Sequence, residues 1–355
     1  MIENKTFLIF PHKDSDYLRL IKLIETTYQG REISKHDFLE WEYTLNPYGK
    51  ALITVSEIEQ EIVSQYAVLP RAFSIGKKIF QGSLSVNSIT HPSFRGNGLF
   101  KKLAEETFIR CKENEINFTI GFPNHFSHPV IVKNEIFESI GFLPLLIYPI
   151  NPVKTFFKYF SSKRRKKGDE IVLNRIEEAL KKISGISLFN FEVDATNYEN
   201  FLHRFNESKI NVTNRSLSFI KWRYLNIPFR KYHLLKIVVG DQIEAMVILR
   251  AKYIYGIRCL ILVDFISINN VRIGKCLEEI LKNISLVNNL DLVFTTIPKN
   301  TGEYTLLKKL GFYSIPKFLM PQKLVCIVRK HLPTCPDQVT DFKKWFFTFG
   351  DYDIF

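Results

Sequence analysis

Apolar residues recur along this chain in two rhythms. From Leu99 they fall at Leu99, Phe100, Leu103, Ala104, Thr107, Phe108 and Cys111, with Lys101, Lys102, Glu105, Glu106 and Arg110 on the other side. That is the one-sided stripe of a helix. Just before it, Leu84 to Thr90 has the β-branched content of a strand, which Pro92 ends. Asn97 reads as the helix N-cap. Upstream, Thr6 to Phe10 reads as a strand, Asp14 or Ser15 as the cap of a helix running toward Tyr28, and Ser34 as the cap of a second helix through Phe38, Trp41 and Tyr43. Ala51 to Val55 and Ile62 to Val68 read as strands. Phe73 to Phe80 reads as a hairpin around Gly76-Lys77-Lys78. Phe118 to Phe122 is the next strand, leaving Asn124 at its end. A helix before Gly141 and strands beyond it close the unit near Ile150. The order is two helices, a run of strands, then β-α-β-α-β.

The turn between strand and helix carries the first candidate chemistry: His91-Pro92-Ser93-Phe94-Arg95-Gly96-Asn97-Gly98. Gly96 and Gly98 let backbone come close to a ligand, because neither has a Cβ. A helix start offers unpaired N–H groups and the positive end of its dipole, and Arg95 adds a permanent charge. Together these suit a phosphate or pyrophosphate. The plain alternative is a helix entry whose glycines only shape the turn.

The stretch resembles the acyl-CoA-binding motif of the GNAT acetyltransferase superfamily, Gln/Arg-x-x-Gly-x-Gly/Ala after a strand ending in x-Pro. Arg95 and Gly98 match the first two fixed positions and Thr90-His91-Pro92 the strand exit; Phe100 departs from the last. The resemblance implies acetyl-CoA as co-substrate and no metal. It places the CoA pyrophosphate on backbone amides from Arg95 to Phe100 (Arg95, Gly96, Asn97, Gly98, Leu99, Phe100). Ile89 and Thr90 join them as cofactor-binding candidates, and Asn124 matches the superfamily's CoA-contacting asparagine.

The second half of the chain repeats the first. Phe38-Leu39-Glu40-Trp41-Glu42-Tyr43-Thr44-Leu45-Asn46-Pro47 lines up with Phe219-Ile220-Lys221-Trp222-Arg223-Tyr224-Leu225-Asn226-Ile227-Pro228. Ile136 to Phe142 lines up with Leu306 to Phe312, matching Gly141 with Gly311. Two matches in one order indicate a tandem duplication. The expected fold is α/β (α+β): tandem GNAT-like domains, each a mixed, mostly antiparallel sheet flanked by helices. The expected boundaries are 1–150 for the acyl-CoA-binding domain, 151–183 for a basic, aromatic connector ending in a polar helix (roughly Glu170 to Ile183), 184–330 for the second domain, and 331–355 for a docked tail. The corresponding loop of the second half, Ile268 to Cys276, keeps only Gly274, so the first half is expected to bind CoA.

Charge and cysteine use narrow the class. Net charge is +13, and seven of those cations (Lys154, Lys158, Lys163, Arg164, Arg165, Lys166, Lys167) lie in residues 154–167 with no acid, leaving +6 elsewhere. A broad nucleic-acid face is therefore not expected. The basic segment, which also holds Phe156, Phe157, Tyr159 and Phe160, reads either as a solvated charge run or as a peripheral contact with an anionic membrane. The five cysteines have no CxxC spacing, which fits a reducing, cytoplasmic setting better than a disulfide framework. Neither a signal-peptide layout nor an apolar run of membrane-spanning length is readable.

An amide-forming transfer needs an amine freed of its proton, a polarised thioester carbonyl and a proton for the departing thiolate. On the strand from Ser85 to His91, Asn87 shares a face with Ile89 and His91 and suits the acceptor. His91 reads as either a base or a strand-exit histidine. The superfamily's usual acid, a tyrosine four residues before Gly-Phe, is matched here by Phe137. Asn124 stands 17 residues before Gly141, whereas Asn300 stands 11 before Gly311. That implies six extra residues in the first half, including His125, Ser127 and His128. The aromatic C-terminus reads as docked, either packing on the second domain or bringing Asp351, Asp353 or the Phe355 carboxylate into a cleft. Asp353 and Phe355 join Asn87 as catalytic candidates, since some tandem GNAT enzymes use their C-terminal carboxylate as base. The expected activity is transfer of acetyl from acetyl-CoA to a primary amine of a small molecule such as an amino sugar. The alternatives are an aminoacyl transferase using charged tRNA and a non-catalytic acyl-CoA sensor.

Overall fold

The computed structural model describes residues 7–13, 16–161, 170–181, 183–268, 271–320 and 322–352. The first half runs β1 (Leu8–Pro11), α1 (Tyr17–Tyr28), α2 (His36–Tyr43), β2 (Leu52–Ile58), β3 (Glu61–Ile75), β4 (Lys78–Thr90), α3 (Leu99–Glu113), β5 (Phe118–Gly121), α4 (Ser127–Lys133), β6 (Glu138–Leu143) and β7 (Leu145–Pro149). The second runs α5 (Pro152–Ser161), β8 (Glu170–Ile171), α6 (Ile176–Leu180), β9 (Ile186–Leu188), α7 (Ala195–Ser208), β10 (Asn211–Thr213), α8 (Leu217–Ile220), β11 (His233–Val239), β12 (Gln242–Ile254), β13 (Ile257–Ser267), α9 (Val271–Val287), β14 (Leu292–Thr296), α10 (Gly302–Lys309), β15 (Tyr313–Ser314), β16 (Leu324–Lys330) and β17 (Trp345–Phe346). The Glu170–Ile183 helix expected from polarity is instead the short strand β8 followed by α6.

Two compact units result, and both are discontinuous. Unit 1 comprises Met1–Gly141, Ser218–Phe229 and Val325–Phe342; unit 2 comprises Phe142–Leu217, Arg230–Leu324 and Lys343–Phe355. The boundaries differ from the contiguous 1–150 and 184–330 division because each half of the chain lends a strand. In unit 1 the strand order is β1-β2-β3-β4-β5-β16-β6, so β16 from the far end of the sequence sits between β5 and β6. In unit 2 the order is β15-β7-β14-β13-β12-β11-β9, so β7 from the first half sits between β14 and β15. The two sheets follow one plan with their seventh strands exchanged. Most neighbours are antiparallel; β4–β5 and β13–β14 are parallel and are joined by the helices α3 and α9.

Sequence explains the local structure. β3 and β4 meet in a two-residue turn in which Gly76 (φ 55°) and Lys77 (φ 69°) are both left-handed, the geometry that matches strand twist. The stripe read on α3 is buried at Leu99, Leu103, Ala104, Thr107, Phe108 and Cys111. It packs in one cluster with Tyr66, Ile131, Ile136 and Phe137, and with Val325 and Ile327 of β16, so the lent strand is part of unit 1's core. The repeated tryptophans meet inside unit 1. The Trp41 and Trp222 rings stack at 4.7 Å, and each indole N–H donates to the other's carbonyl oxygen, at 2.8 and 2.9 Å. This reciprocity is what a duplicated motif packing on its own copy produces.

Candidate functional site

In unit 1 the parallel pair β4–β5 holds register through Ser83↔Thr119, Leu84↔Ile120 and Ser85↔Gly121. β5 then ends, while β4 continues to Thr90. The strands part there, and β4 bulges at once: Gln65 faces Ile89 but Ala67 faces Val86, leaving an extra residue at Asn87-Ser88. Asn87 takes φ 45°, a region asparagine tolerates better than most residues. A polar set holds it. Its Nδ2 donates to Glu42 Oε2 (2.5 Å) and the Tyr43 hydroxyl (2.9 Å), and its carbonyl accepts from Gln65 Nε2 (2.8 Å). Gln65 Nε2 also reaches the Tyr43 oxygen at 3.2 Å. Burial, with the Glu42 charge beside it, pushes the Tyr43 phenol above its ordinary range, so it stays protonated. Glu42, Tyr43 and Gln65 were not singled out from sequence. The available signal was an acid on the apolar face of α2, one helical turn after Phe38.

β4 leads into the glycine loop. Thr90 Oγ1 bonds Ser64 Oγ at 2.8 Å, Arg95 Nε donates to the Thr90 carbonyl at 3.3 Å, and His91 Nδ1 accepts from the Ser93 N–H at 3.2 Å. That last bond gives His91 the strand-exit role. Ile89 is buried. Gly98, not Asn97, is the N-cap of α3; the Asn97 side chain turns back to donate to the Phe94 carbonyl at 3.0 Å. Gly96 (φ 83°) and Gly98 (φ 71°) are both left-handed, and a Cβ built on either meets no atom within 4 Å. No side chain caps α3. The first-turn amides of Leu99 and Phe100 thus sit at an exposed helix start beside two glycines and Arg95. Phe100 itself is half-buried, its ring edge-on to Tyr66 at 5.7 Å.

Asn124 follows β5 and is committed locally. Its Oδ1 accepts from the N–H groups of Phe126 (2.9 Å) and Ser127 (3.0 Å), starting α4. The helix then ends differently from the sequence expectation. Glu135 N–H donates to Val132 O and Ile136 N–H to Ile131 O, while in unit 2 Gly311 donates to Lys308 O and Phe312 to Leu307 O. Glu135 (φ 54°) and Gly311 (φ 92°) are the matching left-handed helix stops. The partner of Gly311 is therefore Glu135, not Gly141, and from Asn124 to Glu135 is 11 residues, as from Asn300 to Gly311. There is no six-residue excess: Ser127 and His128 begin α4, and His125 lies in the turn before it. Gly141 lies within β6, where the Phe342 ring leaves no room for a side chain: a Cβ there would come within 2.3 Å. Phe137, read as the substitute for an acid, is a core residue against Phe108.

Unit 2 fills the equivalent place. Its parallel pair holds from Cys259↔Leu292 to Ile261↔Phe294, and β13 then bulges at Val263, between Leu262 and Asp264. Phe349 of the C-terminal segment packs on Phe294 with ring centroids 5.7 Å apart. Thr348 Oγ1 donates to Asp264 Oδ1 at 2.9 Å. Arg215, 1% exposed, bonds Asp264 with Nε (2.7 Å) and Asp351 with Nη2 (3.0 Å). The tail through Tyr352 is thus docked, and Asp351 is spent on Arg215. Asp353 and Phe355 lie outside the described residues. Gly274 sits inside α9, where a Cβ would meet Leu306 Cδ1 at 2.7 Å, so it is a helix-packing glycine.

Comparison with known proteins agrees with this geometry. Residues 9–141 match the model of an acetyltransferase (GNAT) domain. Residues 9–141 are thus similar to a GNAT acetyltransferase domain, and the chain as a whole has a tandem GNAT-like fold. It is similar to a GCN5-related N-acetyltransferase from Anabaena variabilis, at 13% identity and TM-score 0.58, with 92% of this chain and 73% of that one covered. It is also similar to Saccharomyces cerevisiae N-myristoyltransferase with bound myristoyl-CoA, at 11% identity and TM-score 0.60, covering 93% and 80%. A third is an Enterococcus faecalis protein of unknown function, a probable N-acyltransferase, at 10% identity and TM-score 0.56, covering 92% and 73%. None of the curated proteins compared with the chain matches it by sequence.

Proposed function

We propose that the chain is an acyl-CoA-dependent N-acyltransferase that moves an acetyl group to a primary amine of a small molecule such as an amino sugar. The observation that carries this is the Arg95–Phe100 loop: two left-handed glycines with open space beside them, at an uncapped helix start, directly after a bulged strand that has parted from its parallel neighbour. Acyl-CoA supplies the activated thioester when bound. Amides from Arg95 to Phe100 would hold its pyrophosphate, with Ile89 and Thr90 along the pantetheine and Asn124 beside it. The bulge at Asn87 leaves backbone free of the ladder where the thioester carbonyl would lie, and Glu42, Tyr43 and Gln65 keep that backbone in place. Among the chain's acids, Asp353 is the proposed base.

The polar side chains gathered at the bulge favour a short acyl group. The myristoyl-CoA bound in the yeast structures favours a second reading, a longer chain. Calorimetric titration with acetyl-, octanoyl- and myristoyl-CoA, free CoA and charged tRNA, followed by CoA-release assays with amino sugars, tests both. Acetyl-CoA binding with amine-dependent CoA release is the expected result. Tighter binding and turnover of myristoyl-CoA would install the second reading, and binding of tRNA alone would remove both.

A further inference from the structure

Two polar groups beside the bulge of unit 1 are left over once its hydrogen bonds are made. Gln65, 1% exposed, donates through Nε2 to the Asn87 carbonyl at 2.8 Å and to the Tyr43 oxygen at 3.2 Å. The carbonyl contact fixes which end of the carboxamide is nitrogen, because Oε1 in that place would meet another oxygen. Gln65 Oε1 then accepts from none of the described residues. Tyr43, 2% exposed, accepts twice, from Gln65 Nε2 and from Asn87 Nδ2 at 2.9 Å. Both of those partners are N–H donors, so neither takes the phenol's own proton. No acceptor for that proton stands among the described residues. Burial, with the Glu42 charge nearby, keeps the proton in place.

A buried donor and a buried acceptor thus stand side by side unused, where protein interiors seldom leave such groups unmade. What fits them must accept from Tyr43 and donate to Gln65. An ammonium only donates, and a thioester carbonyl only accepts. An attacking amine needs its lone pair for the carbonyl carbon, so it cannot also accept from Tyr43. A hydroxyl accepts and donates at once.

We propose that Tyr43 and Gln65 bind a hydroxyl of the acceptor, which makes the acceptor an amino alcohol. The hydroxyl lies close to the reacting amine, because both side chains bond Asn87 at the bulge itself. The inference rests on the transferase reading and narrows its acceptor class: an amino sugar satisfies it and a plain alkylamine does not.

CoA release by the full chain, measured with glucosamine, 2-aminocyclohexanol and cyclohexylamine, tests it. The better of the two hydroxylated amines is expected to exceed cyclohexylamine about a hundredfold or more in kcat/KM. A site built to bond a hydroxyl rejects the analogue that lacks it. Tyr43→Phe should cut that preference about tenfold. The substitution removes one oxygen, and both of its donors keep a second acceptor: Asn87 Nδ2 keeps Glu42, and Gln65 Nε2 keeps the Asn87 carbonyl. A merely structural role for Tyr43 would lower all three amines alike and leave the preference as it was. Cyclohexylamine used as well as the hydroxylated amines would assign the pair to a buried water and overturn the proposal. An unchanged preference in Tyr43→Phe overturns it too, and in both cases the transferase reading stands. No release with any of the three amines, from acetyl- or myristoyl-CoA, removes that reading and the inference with it.

Discussion

Units 1 and 2 share one plan and use one place in it oppositely. In each, a parallel strand pair parts, the longer strand bulges, and a helix follows. Unit 1 puts asparagine at the bulge, braced by neutral and acidic side chains, and opens the helix start with two left-handed glycines. Unit 2 has Val263 at the bulge, and a β-branched residue is a poor choice for left-handed backbone. It closes the place with Phe349 and an arginine between two carboxylates. The duplicated scaffold stayed the same in both copies; what differs is that unit 2 fills the place with its own C-terminal segment, while the described residues of unit 1 leave open space beside Gly96 and Gly98. A filled gap needs internal charge balance, while an open one needs backbone donors and little side chain.

The largest effect should come from unbalancing unit 2. Arg215→Ala removes the guanidinium that pairs with the buried carboxylates of Asp264 and Asp351. Breaking such a buried pair costs about 3–5 kcal/mol. Chemical denaturation should show that loss, and hydrogen exchange should place it at β13 and residues 348–352. A loss under about 1 kcal/mol would mean that the tail is held by its aromatics and the charges are incidental.

Acid should be felt next, and by unit 1 more than unit 2. Burial holds His331 of unit 1 neutral, its pKa pushed from 6.5 down to about 3. Burial, with Lys231 nearby, pushes His233 of unit 2 down to about 4. The folded state binds fewer protons than the unfolded one across this range, so stability falls as pH falls. The contribution is complete above 6.5, declines below it, and is exhausted near 4 for His233 and near 3 for His331. His331→Gln should flatten the decline in unit 1 alone, measured by exchange of β5 and β16 amides between pH 6.5 and 4. An unchanged slope would reassign the acid sensitivity to other groups.

The contrast between the units was partly readable before any coordinates. The stretch from Leu84 to Cys111 was legible because each local signal agreed: β-branched strand, proline stop, paired glycines, one-sided stripe. The Trp41 and Trp222 motif was legible because its spacing survived duplication. The strand exchange was not, since β7 and β16 have ordinary strand patterns and pairing partners leave no mark in composition. The Gly141 alignment failed because glycine serves two purposes: Gly311 ends a helix with positive φ, whereas Gly141 makes room for Phe342. Glu135 does the helix-ending job without the residue that advertises it. The Arg215 cluster joins residues more than a hundred positions apart, and no periodicity reports that.

The loop glycines give the next test. If the proposed function holds, Arg95→Ala would remove a charge-assisted phosphate contact, worth roughly 1.5–3 kcal/mol, or about 10- to 150-fold in acyl-CoA affinity. Gly98→Val should weaken binding at least as much, because a side chain enters the approach and φ 71° strains it. Gly274→Ala in unit 2 should leave affinity unchanged and touch only stability, since its Cβ meets the flexible end of Leu306. Titration of all three with acetyl-CoA decides. Equal weakening by Gly274→Ala and Gly98→Val would place the site in unit 2 and reverse the comparison.

The smallest effect is the most informative about the bulge. Asn87 combines a left-handed backbone with a side chain that donates to Glu42 and Tyr43. Asn87→Gly keeps the backbone permissive and deletes the two bonds; Asn87→Ala deletes the same bonds and adds the left-handed penalty of about 1–2 kcal/mol. If the bulge acts through its backbone, Asn87→Gly should retain most turnover and Asn87→Ala should lose about tenfold or more, with acetyl-CoA affinity similar in both. If the side chain itself meets the acceptor, both variants should raise the acceptor KM alike. Steady-state kinetics of the pair separates the two, because only the backbone role distinguishes glycine from alanine. Deleting Asp353 to Phe355 alone, which spares the Asp351–Arg215 contact, tests the proposed base.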